Sequence, residues 1–428
     1  MGRVRYIQRI TRPDDQTLFR DYIHVHRPVI VTDFFRGEPI REINTIEKAS
    51  REFGHVNLMV QWEYISAENN NQRGKTFQTM TFNEYWAAVR ANPTTEMCCT
   101  EYEIPARVMA QYDLPTVCLA RDLGEGEILS LPRKYGDHDL LGNIFIANKG
   151  NKAHLHYDGD QRQVFLYQVF GRKEVILFPT SSGARLRPRE LGNNFSGYYL
   201  ECMTQEEKMR LIAEAGGYYG MLEPGDAVYI PMLMWHYLEY VDDAMSFNMR
   251  FGRSKYGRFL CADNFHFDHY TQNLASRFSH EAARDPKLSK VLQTIISAYM
   301  EPAKDQREKV KSIRAVFKRL CEEVCPEHRA HEYCPPEHES AEVDKIMQDI
   351  SKKMVYADPK VVEKMRPSGP VSGVQSRHIK EQAARLGYGP SILERLLRNR
   401  VGKSDVNQLT SAEAAQFLLF LRSPGAAW

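Results

Sequence analysis

The run His154-Leu155-His156-Tyr157-Asp158 sets two imidazoles and a carboxylate at alternate positions. A β-strand sends alternate side chains to one face, so His154, His156 and Asp158 can all point the same way. A His and a carboxylate two residues apart on one strand can reach a single ion, and a third ligand must then arrive from another strand. Residues 224–237, PGDAVYIPMLMWHY, offer it at His236: Gly225-Asp226 turns the chain, Pro231 ends a strand, and His236 begins the next. Two His and one carboxylate make the facial triad that holds non-haem Fe(II), with the remaining positions open to a chelating cosubstrate and O₂. His154 is an extra histidine on that face, either an alternative ligand or a supporting group.

These residues sit in the most β-like part of the chain. From about residue 140, short apolar runs alternate with turns: residues 141–148 end at Lys149-Gly150-Asn151, residues 164–170 and 173–178 flank Gly171, and Glu223-Pro224-Gly225-Asp226 precedes residues 227–230. Residues 235–240 follow, then Asp242-Asp243, then residues 245–251. Many short strands separated by Gly, Pro and Asp turns predict a barrel or sandwich. Residues 204–215 read as a helical insertion between two strands. Upstream, residues 1–25 read as a helical lead-in, residues 28–35 as a buried strand, and residues 96–103 as another strand.

The chain has 428 residues, which suggests two or three domains of ~100–200 residues each. Its 43% apolar and 26% charged residues are ordinary for a globular protein, and a net charge of +2 gives no global sign of nucleic-acid or anionic-membrane binding. The first ten residues carry no apolar signal core, and no apolar run approaches the ~18 residues of a membrane span. Eight scattered cysteines then fit free thiols in a reducing, cytoplasmic setting.

Residues 156–179, HYDGDQRQVFLYQVFGRKEVILFP, together with residues 224–251, PGDAVYIPMLMWHYLEYVDDAMSFNMRF, resemble the Jumonji C family of Fe(II)- and 2-oxoglutarate-dependent oxygenases. Within it the chain is similar to the asparaginyl-hydroxylase and small protein-hydroxylase branch, whose N-terminal part RPVIVTDFF and TFNEYWAAV also resemble. The resemblance covers roughly residues 25–255 and implies a mainly β core, a double-stranded β-helix of cupin or jelly-roll type, with flanking helices. It implies Fe(II) held by His156, Asp158 and His236, with 2-oxoglutarate and O₂ as co-reactants. Lys173 matches the family's lysine for the distal carboxylate of 2-oxoglutarate, a pairing that needs both charges in a buried pocket. Gln163 stands where the family places a polar cosubstrate residue. Asn248 and Arg250, facing the same way as Ser246 on the last strand, are further candidates to line that pocket. The family's hydroxyl three residues before the first metal His is Ala153 here, so another group, with residues 98–102 as the candidate strand, must replace it. Trp235 and Tyr237, flanking His236, read as aromatic core.

The domain organisation that follows is a catalytic domain over residues 1–255, a helical extension over 256–355, a linker over 356–376 and a small helical module over 377–428. The extension could pair two subunits into a homodimer, as C-terminal helices do in the asparaginyl-hydroxylase branch. Cys321, Cys325, His328, His331 and Cys334 are dense enough for zinc, but their spacing fits no common zinc module. In the last module, Thr410 followed by Glu413 is a capping-box signature, and Ala415, Leu418 and Leu419 read as its apolar face.

The chemistry expected is hydroxylation of a C–H bond coupled to decarboxylation of 2-oxoglutarate to succinate. The first substrate class is a protein or peptide side chain; the alternatives are a free amino acid or natural product, and N-methyl demethylation by the same oxidation. A metal-binding cupin that senses or scaffolds without turnover is the non-enzymatic alternative.

Overall fold

In the computed structural model, residues 3–23, 25–62, 77–115, 118, 141–158, 162–179, 182, 185–186, 195–232, 234–251 and 369–422 are described. The helical extension, the candidate zinc cluster and most of the linker lie outside them.

The strands are β1 (Arg5–Tyr6), β2 (Gln8–Thr11), β3 (Val29–Thr32), β4 (Asn57–Trp62), β5 (Phe77–Thr81), β6 (Met97–Glu103) and β7 (Leu141–Ala147). They continue as β8 (Lys152–His156), β9 (Gln163–Phe170), β10 (Lys173–Phe178), β11 (Tyr218–Leu222), β12 (Ala227–Ile230), β13 (Trp235–Tyr240) and β14 (Ala244–Phe251). The helices are α1 (Asp15–Leu18), α2 (Ile46–Phe53), α3 (Phe82–Ala91), α4 (Ala106–Met109), α5 (Gln205–Ala215), α6 (Gly373–Arg385), α7 (Pro390–Val401) and α8 (Ser411–Leu421). A five-stranded sheet runs β1-β11-β10-β13-β8, and a nine-stranded sheet runs β2-β3-β12-β9-β14-β7-β6-β4-β5.

The two sheets face each other because the chain changes sheet at every tight turn between residues 141 and 251. β7 passes to β8, β9 to β10, β11 to β12 and β13 to β14, each step crossing from one sheet to the other. The strands on either side of Gly171 therefore turn tightly without pairing. Gly171 has φ 68°, and a Cβ there would lie 2.2 Å from the Asp243 carbonyl oxygen, so the corner admits only glycine. This is the double-stranded β-helix of a cupin barrel.

Strand alternation divides the residues into inner and outer rows. Val164, Leu166, Val175, Leu177, Leu222, Val228 and Ile230 fill one half of the interior with aliphatic packing. On the outer face of the smaller sheet, Ile176, Phe178, Trp235 and Tyr237 pack beneath Leu211, Ile212 and Ala215 of α5. Thr204 caps α5 with a reciprocal capping box to Glu207, which fixes where the insertion becomes helical. Phe165, Tyr167 and Phe247 face outward from the larger sheet, against Phe34, Phe35 and Tyr112.

Two expectations need correction. The lead-in is not purely helical: β1 and β2 come first, and β2 lies parallel to β3 as the edge strand of the larger sheet. In α8 the buried positions are Glu413, Ala414, Phe417, Phe420 and Leu421, while Leu419 is exposed. A helix apolar nearly all round has no face that its sequence singles out, and docking selects one. The three C-terminal helices join the same apolar cluster as the barrel's outer face. The buried Asn399 side chain accepts from Leu114 N at 3.1 Å and donates to the Met109 and Tyr112 carbonyls at 3.1 and 2.7 Å.

Candidate metal centre

β8 and β13 are antiparallel neighbours, and His156 lies directly opposite His236 in their register. The two imidazole centroids are 4.2 Å apart. β8 ends at His156, but alternation persists one step further: Tyr157 turns into the core against Trp235, and Asp158 returns to the side of His156. Asp158 Oδ1 lies 3.6 Å from His156 Nε2. One potential ligand atom from each of His156, Asp158 and His236 falls within 4.8 Å of the others, an arrangement that can hold a metal ion.

Both imidazoles are oriented by their own backbone. His156 Nδ1 is 2.6 Å from the His154 carbonyl oxygen and His236 Nδ1 is 2.9 Å from that of Met234. A proton on Nδ1 donated to these oxygens leaves each Nε2 lone pair free, the tautomer a metal requires. Burial and the neighbouring His156 push His236 down to about 4, outweighing the attraction of Asp158, so this imidazole is neutral near pH 7. Burial pushes the Asp158 carboxyl up, but the Arg250 guanidinium beside it holds it well below the usual carboxylate range. Deprotonated ligands are what a divalent cation needs.

His154 is drawn out of this group. Its Nδ1 lies 2.5 Å from Glu201 Oε1, on the segment that follows β10 and precedes α5. The same segment bridges β8 at His156 through Phe195, whose ring stacks on His156 at 5.2 Å and 21°. Neither Phe195 nor Glu201 stands out in the sequence, because a long insertion brings them to the edge of β8.

The remaining candidates fall on different rows. Lys173, at the start of β10, is 2% exposed; its Nζ donates to Ser246 Oγ at 2.6 Å and lies 3.8 Å from the Tyr240 ring centroid. Among the described residues no carboxylate pairs with it, and burial lowers its pKa well below the ordinary lysine value. Ser246, Asn248 and Arg250 alternate along the inner row of β14. Ser246 meets Lys173 at one end, and Arg250 Nη2 meets Asp158 Oδ2 at 3.2 Å at the other. Between them Asn248 is buried, with no hydrogen-bond partner for its Oδ1. Gln163, expected beside the cosubstrate, belongs instead to the outward row of β9, opposite Phe251. Its Oε1 accepts from Tyr229 Oη at 2.5 Å and Met232 N at 3.1 Å. Trp235 and Tyr237 are fully buried in the outer cluster, as aromatic core. Among residues 98–102, Cys98 packs against Ala147, Tyr240 and Ala244.

No helix among the described residues is long and apolar enough to cross a membrane. Residues 15–273 match the family model described as the cupin-like domain. The chain is 31% identical over 110 residues to Jumonji C domain-containing protein 5 of Drosophila melanogaster, covering 25% of this chain and 26% of that protein. It is 29% identical over 117 residues to lysine-specific demethylase 8 of Xenopus tropicalis, covering 27% of this chain and 25% of that protein. The chain thus matches about a quarter of the length of each of these relatives. With a sheet-switching barrel of this topology and the family match spanning it, the chain belongs to the cupin-like domain family.

Proposed function

We propose that this protein is an Fe(II)- and 2-oxoglutarate-dependent dioxygenase that hydroxylates a C–H bond, with a protein or peptide side chain as its substrate class. The observation that carries the reading is Lys173: a buried cation that no described carboxylate pairs with, inside the barrel that also holds His156, Asp158 and His236. An unpaired buried charge is costly, so such a lysine points to an anionic ligand that completes it. The donor set fits Fe(II), since two neutral imidazoles and one carboxylate form the facial triad. When bound, Fe(II), 2-oxoglutarate and O₂ supply the oxidation, in which 2-oxoglutarate loses CO₂ to become succinate and a substrate C–H becomes C–OH.

The chain's own residues bind and orient. His156 and His236 present Nε2 because their Nδ1 atoms are engaged by backbone carbonyls. Lys173 and Ser246 would take the distal carboxylate of 2-oxoglutarate, and Asn248 offers an unpartnered amide oxygen on the row between that carboxylate and Asp158. The aliphatic half of the barrel and the Phe195 ring limit water at the ligand histidines.

The name of the Xenopus relative places its action on lysine, which supports a protein side chain and also favours N-methyl demethylation as a second outcome of the same oxidation. Incubation with Fe(II), 2-oxoglutarate, O₂ and a peptide library separates the two. Hydroxylation gives a peptide heavier by one oxygen, whereas demethylation gives formaldehyde and a peptide lighter by one methylene. Succinate formation that does not depend on Fe(II) contradicts the proposal.

A further inference from the structure

Arg250 places a permanent positive charge against the one carboxylate of the metal-holding group. Its Nη2 is 3.2 Å from Asp158 Oδ2, and the two side chains are 11% and 20% exposed. Asp158 therefore divides its two oxygens, with Oδ1 toward His156 Nε2 and Oδ2 toward the guanidinium. A guanidinium cannot step aside by losing its proton. The Arg250 charge cancels that of Asp158, so a divalent cation among these ligands meets two neutral imidazoles and no net negative charge. Lys173, on the same inner lining through Ser246, adds to the positive side whenever it is protonated. Charges this close and this sheltered interact far more strongly than in water.

Resting on the oxygenase reading above, we infer that Arg250 couples the two ligands of the site: it weakens binding of the bare divalent cation and favours the cation together with a dianionic 2-oxoacid. The dianion offsets most of the positive excess that Arg250, Lys173 and the metal leave once Asp158 is counted. Coupling of this kind is reciprocal, so metal and anion tighten each other by the same factor. It loads the site as a pair and leaves it with little metal when the anion is scarce. If Arg250 served only to brace Asp158, removing it would loosen the carboxylate and weaken metal binding. The two roles thus predict opposite signs.

The test is Mn(II) binding, with and without 2-oxoglutarate, by the wild-type chain and by Arg250→Met, Arg250→Gln and Arg250→Lys. Mn(II) reports affinity without turnover. In the wild type, saturating 2-oxoglutarate should tighten Mn(II) by about tenfold or more. Arg250→Met or Arg250→Gln, whichever folds, should bind Mn(II) alone about tenfold more tightly than the wild type and gain less from 2-oxoglutarate. Arg250→Lys keeps the charge and should stay within about threefold of the wild type in both conditions. Bare Mn(II) binding that is unchanged or weaker in the neutral variants overturns the inference and leaves the oxygenase reading standing. A wild-type coupling below about threefold overturns it whatever the variants do. Wild-type protein that binds no Mn(II) in either condition contradicts both.

Discussion

Lys173 donates to Ser246 Oγ at 2.6 Å across the barrel, from the first residue of β10 to the inner row of β14. The hydroxyl is neutral, so the ammonium stays without a counter-charge from the described residues. Lys173→Met should therefore stabilise the ligand-free protein by about 1–3 kcal/mol while abolishing the stabilisation that 2-oxoglutarate gives with metal. Burial lowers the folded pKa below the ordinary 10.5, so the unfolded chain binds the extra proton. Wild-type stability should then rise with pH above the folded pKa until about 10.5, a slope that Lys173→Met lacks. Thermal melts with and without Mn(II) and 2-oxoglutarate, across pH, check both statements.

A second buried cation has its partners and should behave in the opposite way. Lys208 on α5 reaches Glu174 at 2.8 Å and Glu239 at 2.7 Å, with Lys208 and Glu174 both 8% exposed. Lys208→Met strands the two carboxylates and should cost about 3 kcal/mol near neutral pH. Burial raises the Glu239 carboxyl, but hydrogen bonds from Lys208 and Tyr237 bring it below its ordinary 4.5. That contribution is full above 4.5 and is lost as pH falls through the lowered folded value. Burial lowers Lys208, but its bonds to Glu174 and Glu239 raise it above 10.5, so its contribution is lost only as pH rises past that. The stability gap between wild type and variant should be widest between these limits and should close in acid, as read by denaturant titration at several pH values.

The C-terminal helices are clasped to the barrel by Asn399, which satisfies three backbone groups of residues 109–114 from a buried position. Arg395, 3.1 Å from Asp113 and 3.3 Å from Glu38, flanks it. Asn399→Ala leaves those groups without partners and should cost about 2–3 kcal/mol. Arg395→Ala, at a side chain three-quarters buried that grips Asp113 with both arms and the Ala110 carbonyl, should cost less than Asn399→Ala, about 1–2 kcal/mol. Limited proteolysis should release the C-terminal helices sooner in the Asn399 variant. An unchanged cleavage rate would mean that apolar packing alone holds them.

What the sequence disclosed was local. Gly150, Gly171 and Gly225 marked sharp corners, and all three adopt positive φ. The capping box at Thr410 and Glu413 marked the start of α8. Two histidines and a carboxylate stood out by type and spacing, and the barrel brings those three side chains together. What stayed hidden depended on register and long-range return. Gln163 lies one residue out of phase with the inner row, a difference that spacing along one strand cannot reveal without its partner Phe251. The outward turn of His154 comes with a bulge in β8, where pairing with β13 passes from His156–His236 to Ala153–Leu238 and breaks simple alternation, and Glu201, 47 residues away along the chain, then meets its ring. Sheet-switching at Gly171 was invisible because a tight turn between two apolar strands reads the same whether or not the strands pair.

The most direct test of the central claim is the visible charge-transfer absorption of the Fe(II)–2-oxoglutarate chelate, recorded without O₂ on wild type and on Asp158→Ala, followed by admission of O₂ and a succinate assay. The account predicts a weak band and slow succinate release in the wild type, with both lost in Asp158→Ala. A folded wild type with no band and no succinate, or an Asp158→Ala variant that keeps both, would contradict it.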